Sequence, residues 1–177
     1  MISCIPIQKM CGVDEEFLRR ISLSLQKQGL KVATAESCTG GLIAKLLTDI
    51  SGSSNYFDRG FVTYSNISKT ELLNVPEESI VKYGAVSKEV AVAMADGVRT
   101  RSNVNIGIAS TGIAGPTGGT VEKPVGLVYV AISTPENTDV KEFHFKGDRL
   151  KIRHSASEAA LNMLLSILEK SDGDNSC

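Results

Sequence analysis

A chain of 177 residues, 42% hydrophobic and 22% charged, is sized for one globular domain with its own core, which excludes a disordered segment. Its formal net charge of −1 gives no general electrostatic pull on nucleic acid or on an anionic membrane, so an anionic ligand needs a local site. No apolar run is long enough to span a bilayer, and the first ten residues carry Lys9 after their apolar residues, the reverse of a signal peptide.

In chain order, residues 1–12 read as an N-terminal lead without helical or strand periodicity. Asp14 then caps a predicted helix with the apolar stripe Phe17, Leu18, Ile21 and Leu25, stopped by Gly29. Residues 31–35 read as a strand, and Gly40 and Gly41 open a second helix that runs to Ile50. A turn cluster covers 51–55, and 60–64 is the second strand. A short helix starts at Asn66 or Ser68, where Ser68 and Glu71 fit a capping box. After a break at 84–87, Ser87 caps a helix whose Val90, Met94 and Val98 share one face. Residues 104–110 are a third strand, followed by a long glycine-rich loop over 111–126. Strands at 127–132 and 140–145 are joined too closely for a crossover helix and form an antiparallel hairpin. Asp148 caps a final long helix, and 171–177 read as a disordered tail.

Early alternation of helices with strands, then a late hairpin, predicts a three-layer α/β/α sandwich around a mixed, mostly parallel sheet of about five strands. The ligand crevice of such a sheet lies beyond the carboxyl ends of its parallel strands. Three segments leave strands there: Glu36-Ser-Cys-Thr-Gly-Gly41, Tyr64-Ser-Asn-Ile-Ser-Lys69, and the run from Thr111 to Gly119.

The first joins hydroxyls to two glycines at a helix start, where backbone N–H groups attract anions; Ser37 or Thr39 acting as a plain helix cap is the competing reading. It is neither a P-loop nor a dinucleotide fingerprint. The second sets Lys69 in the first turn of a helix, where the macrodipole lowers a lysine pKa and suits it to act as a base; the ordinary alternative is a solvated lysine. With Ser37 on the same edge, the pair points to a Ser–Lys hydrolase arrangement. The third offers backbone N–H groups for a phosphate or an oxyanion, or is a mobile surface loop, with Lys123 as added charge. Arg149 and Arg153 open the last helix; an arginine fork suits phosphate, but a partner Glu or Asp is the expectation for Arg153. His144 and His154 have no partner at metal-ligand spacing and read as structural. Cys4, Cys11, Cys38 and Cys177 form no CxxC pair, so neither a zinc site nor a disulfide framework is expected, and a reducing cytoplasm is the simplest home.

The motifs TAESCTGG, ISGSS, GFVTYSNISK, YGAVS, STGIAGPTGG, KPVG and FKGDR stand in this order from the first helix to the last. Together they make the chain resemble the CinA C-terminal domain family of nicotinamide-nucleotide amidases. The resemblance implies the same sandwich fold and hydrolysis of nicotinamide mononucleotide to nicotinate mononucleotide and ammonia. It implies Ser37 as nucleophile, Lys69 as its base and Tyr64 as their partner. Thr39, Gly40, Gly41, Thr111, Gly112, Gly115 and Gly119 resemble the ligand cradle, with Arg149 as a further substrate contact. The larger N-terminal domain of full-length members is absent from this sequence, and any pyrophosphatase activity associated with that domain is not assigned to it. The expected ligand is a small pyridine nucleotide, with no cofactor, metal, nucleic acid or membrane, and with a homo-oligomer such as a dimer left open. A nucleotide-binding regulatory module that keeps the pocket without the chemistry is the rival reading; only the amidase needs Lys69 close to Ser37.

Overall fold

Asp14 caps α1 (Glu15–Lys27) by accepting the Glu16 N–H, and Leu18, Ile21 and Leu25 are buried along its stripe. The computed structural model describes residues 13–174, with side chains to 170. After Gly29, which turns at φ 64°, come β1 (Val32–Glu36) and α2 (Leu42–Thr48). A 3₁₀ turn at Ser53–Asn55 leads into β2 (Phe57–Val62) and α3 (Asn66–Leu73). Then follow α4 (Glu77–Tyr83), α5 (Lys88–Ser102), β3 (Ile106–Gly112), β4 (Leu127–Ser133), β5 (Thr138–His144) and α6 (Arg149–Asp174).

Several expected boundaries move. β2 lies earlier than 60–64, and Tyr64 falls beyond it, because Tyr56 is buried with its hydroxyl on the Leu47 carbonyl and starts pairing at Phe57. The cap of α3 is Ser65, whose Oγ accepts the Ser68 N–H, so the expected Ser68–Glu71 box does not form. Helix α4 was not expected; Pro76 stands at its N-cap, and Glu77 and Glu78 suit its positive end. Asp148 does cap α6, accepting the Lys151 N–H at 2.8 Å. That helix runs to Asp174, so the first four residues of the expected tail are helical. Residues 1–12 and 175–177 lie outside the described residues.

The sheet order is β2-β1-β3-β4-β5. β1 pairs in parallel with β2 and β3, and β4 is antiparallel to both of its neighbours. Four strands therefore run one way and β4 alone is reversed. Strand alternation divides the core into two. Val32, Ile106, Ile108, Val128 and Val130 pack with α1, α2 and α6. On the other face, Ala33, Ala35, Ala109 and Ala131 pack with α3, α4 and α5. Small residues on this second face let α5 come very close: a Cβ on Gly107 would sit 2.3 Å from the Ala95 carbonyl oxygen. Glu36 and Ser37 end β1 on opposite phases, so Ser37 falls on the face covered by α3.

Helix α3 rests on α5 at Gly97, where a Cβ would lie 2.1 Å from the Leu73 carbonyl oxygen. Gly97→Ala gains about 1 kcal/mol of helix propensity. It also forces backbone apart, and overpacking costs about 1–3 kcal/mol. The expected outcome is a net loss of up to about 2 kcal/mol, read as a lower urea midpoint at unchanged slope. A midpoint equal to or above that of the parent chain would show that α3 yields without cost.

Candidate active site

Ser37 is half-buried at the carboxyl end of β1, its N–H held by the Ser110 carbonyl at 3.0 Å. Lys69, one turn into α3, is only 1% exposed. Its Nζ lies 3.3 Å from Ser37 Oγ and donates to the Thr63 carbonyl at 2.7 Å. Among the described residues it makes no ion pair. Burial pushes its pKa below the ordinary lysine value, against a smaller opposing pull from Cys38. Desolvation, rather than the expected helix dipole, is the main cause. The arrangement is a nucleophile in hydrogen-bond reach of an amine biased toward its neutral, basic form.

Cys38 is the other nucleophilic side chain in this turn. It is buried, and that burial pushes its thiol up to about 12, so it stays protonated at neutral pH.

The turn itself is held first by Glu36, which sequence reasoning did not single out. The buried Glu36 carboxylate accepts the N–H groups of Gly41 at 2.9 Å, Ile43 at 3.1 Å and Ala44 at 2.8 Å. The start of α2 is thus occupied by the protein's own carboxylate. The Gly40 N–H goes to the Ser37 carbonyl. Both glycines were expected to offer N–H groups to a ligand; both N–H groups are already engaged. Their positive φ values, 61° and 92°, are what the turn requires of them. Thr39 is also turned inward, its hydroxyl paired with Ser110 Oγ at 2.6 Å. Arg153, expected opposite an acid, instead donates Nη2 to the Thr39 carbonyl at 2.7 Å and Nε at 3.2 Å. No spacing rule marks Glu36 or Arg153, because each acts through the fold on backbone distant from its own neighbours.

Tyr64 reaches this edge but bonds neither Ser37 nor Lys69; its hydroxyl accepts from Arg149 Nη2 at 2.8 Å. Arg149 Nη1 donates to the Gly115 carbonyl at 2.9 Å. Thr111 is buried and donates to the Ala85 carbonyl at 2.8 Å. The glycines of the third segment also allow close packing of the chain on itself. A Cβ on Gly112 would lie 2.7 Å from the Leu127 carbonyl oxygen, one on Gly115 2.6 Å from Val125 Cγ1, and one on Gly119 2.8 Å from the Val125 nitrogen. Lys123 points away from the dyad, donating to the Tyr83 and Val86 carbonyls at 2.6 and 2.7 Å. With Tyr83, Ser87 and Tyr129 it lines a separate cavity of about 520 Å³ that contains neither Ser37 nor Lys69. His144 pairs with Glu142 on the surface, and His154 is half-buried on α6. Among the described residues no three of His, Cys, Asp and Glu converge as a metal site would require, and no helix is long and apolar enough to cross a membrane.

The model of the CinA C-terminal domain matches residues 14–168 of this chain. The chain belongs to that family. Among CinA relatives, a competence-damage inducible protein of Caldicellulosiruptor saccharolyticus is 52% identical over 154 residues, 86% of this chain and 38% of that protein. A CinA-like protein of Acidobacterium capsulatum is 55% identical over 140 residues, 79% of this chain and 34% of that protein. The chain therefore spans between a third and two fifths of the length of these relatives. Among solved structures, the competence/damage inducible protein CihA from Agrobacterium tumefaciens is 48% identical with a TM-score of 0.85, covering 88% of this chain and 94% of that one. The competence damage-inducible protein A from Klebsiella pneumoniae is 32% identical with a TM-score of 0.84, covering 87% and 96%.

In this CinA-type domain the Glu36 carboxylate anchors the turn that carries Ser37. Glu36→Gln keeps the shape but turns one oxygen acceptor into a donor facing backbone N–H groups. A loss of about 2–3 kcal/mol is expected from the buried groups left unsatisfied, read by chemical denaturation. A loss below about 0.5 kcal/mol would mean that water replaces the carboxylate at α2.

Proposed function

We propose that this CinA domain is an amidohydrolase that converts nicotinamide mononucleotide to nicotinate mononucleotide and ammonia. The observation that carries the reading is a buried lysine with no ion pair among the described residues, 3.3 Å from a half-buried serine hydroxyl. The resemblance to the nicotinamide-nucleotide amidases supplies the substrate.

In this reading Ser37 Oγ attacks the carboxamide carbon while Lys69 accepts the hydroxyl proton. The carbonyl oxygen becomes an oxyanion. In the Ser37 turn, the N–H groups of Ser37, Gly40 and Gly41 already have partners, whereas those of Cys38 and Thr39 donate to no oxygen among the described residues. Those two are directed at the Cys38 sulfur, a weak acceptor, and in this reading they pass from it to the oxyanion. The C–N bond then breaks, and the Lys69 proton passes to the departing nitrogen, releasing ammonia. Water attacks the acyl-serine with Lys69 again as base, and the C–O bond breaks to free the carboxylate and restore Ser37. The pyridinium charge makes the carboxamide a better electrophile, and the distant phosphate supplies binding energy away from the reacting bond.

Ser37→Ala and Lys69→Ala are each expected to lower ammonia release from nicotinamide mononucleotide by about 10³-fold or more, with nucleotide binding largely kept. Single-turnover release by Ser37→Ala at the parent rate would instead favour water activated directly by Lys69.

The pH dependence follows from the lowered lysine pKa. Only neutral Lys69 accepts a proton, so kcat/KM falls as pH drops through its pKa. The midpoint is expected below the ordinary lysine value of about 10.4. Lys69→Arg remains charged and is expected to be inactive throughout. Lys69→Met removes a buried amine and is expected to raise Tm while abolishing turnover, the trade-off of a site built against stability. A midpoint at the ordinary lysine value, or a lower Tm for Lys69→Met, would remove the amine from the role of base.

A further inference from the structure

Tyr64 follows β2 by two residues and Gly115 follows β3 by three, while β1 lies between these strands. A link from Tyr64 to Gly115 therefore crosses the carboxyl end of β1, where Ser37 starts its turn. Arg149 makes that link, through Nη2 to the Tyr64 hydroxyl and Nη1 to the Gly115 carbonyl. Arg149 is exposed, and among the described residues its guanidinium forms no ion pair. Both of its partners are neutral. The two ends of the link also differ: the Gly115 carbonyl is backbone in a buried residue, whereas Tyr64 is 60% exposed.

We infer that Tyr64–Arg149–Gly115 is an anion-operated latch over Ser37, in which the substrate's phosphate takes the place of the Tyr64 hydroxyl on Arg149. A phosphate oxygen adds an opposite charge and a bidentate acceptor that a neutral hydroxyl does not offer the guanidinium, so the exchange runs toward the phosphate. Nη1 stays on Gly115, which keeps the guanidinium in place while Nη2 changes partner. The released phenol is already largely in water and leaves at little cost. Arg149 is thus the residue that selects a phosphorylated substrate, and Tyr64 occupies its place when substrate is absent. With the Gly40 and Gly41 N–H groups engaged within the chain, this guanidinium is a cation at the edge with donors to spare.

The inference rests on the amidase reading for its substrate, and two measurements separate them. The first is kcat/KM for ammonia release from nicotinamide mononucleotide and from the same nucleoside without its phosphate. The second is calorimetric binding of both compounds, which needs no turnover. Parent, Arg149→Met, Arg149→Lys and Tyr64→Phe are compared. The parent is expected to prefer the phosphorylated compound, and Arg149→Met to reduce that preference at least about tenfold, with partial rescue in Arg149→Lys. Tyr64→Phe removes the competitor and is expected to lower KM for the phosphorylated compound severalfold. A merely structural Arg149 would depress both compounds alike and leave the preference intact, which overturns the inference. A raised KM in Tyr64→Phe overturns the exchange. If no variant or parent releases ammonia, yet binding prefers the phosphorylated compound and loses that preference in Arg149→Met, the amidase reading falls and the latch stands.

Discussion

The buried amine of Lys69, in no ion pair among the described residues, is the arrangement on which the rest of the site turns. Taking an ammonium out of water without a counter-charge is costly, and burial accordingly lowers the pKa of this amine. The partner that keeps the nitrogen in place is the Thr63 carbonyl, which accepts from the neutral amine and the ammonium alike. That carbonyl is available because β2 ends at Val62; the Thr63 N–H still ties back to Glu36, but the chain then turns away. The early end of one edge strand thus supplies what the lysine needs. The seat of α3 on Gly97 fixes the helix that carries it.

Charge is arranged around this amine by an unequal choice of partners. The nearby carboxylate, Glu36, is buried under three backbone N–H groups. The two arginines one turn apart on α6 hold carbonyls and a phenol instead of acids. Among the described residues neither of these arginines is in an ion pair. The same arginines connect the turn after β1 and the loop after β3 to one helix.

Strand alternation separates the two tasks of the site. Glu36 and Ser110 face α2 and α6, where one caps the helix and the other pairs with Thr39. Ser37 and Thr111, one residue later on each strand, belong to the opposite face, toward Lys69 and the Ala85 carbonyl. Alanine and glycine dominate that second face, which lets α5 and the helices before it approach the sheet closely enough to bury a lysine.

By itself the sequence determined the layers, the hairpin, the capped starts of α1, α5 and α6, and the three segments that meet at one edge. These follow from periodicity, caps and strand order, which are local or nearly so. It also displayed Ser37 and Lys69, because a serine and a lysine in glycine-rich or polar strand ends stand out from an apolar core. Only the tertiary structure decided what each group faces. Tyr64 turned from the dyad to Arg149, and Lys123 turned to the Tyr83 and Val86 carbonyls. It also decided which glycines of the long loop lie against other parts of the chain. Glu36 and Arg153 became anchors of the Ser37 turn with no local signal at all. A hydrogen-bond partner is set by which side chain the packed helices bring within about 3 Å. For Arg153 and the Thr39 carbonyl that contact spans 114 positions of sequence, and no residue spacing encodes it.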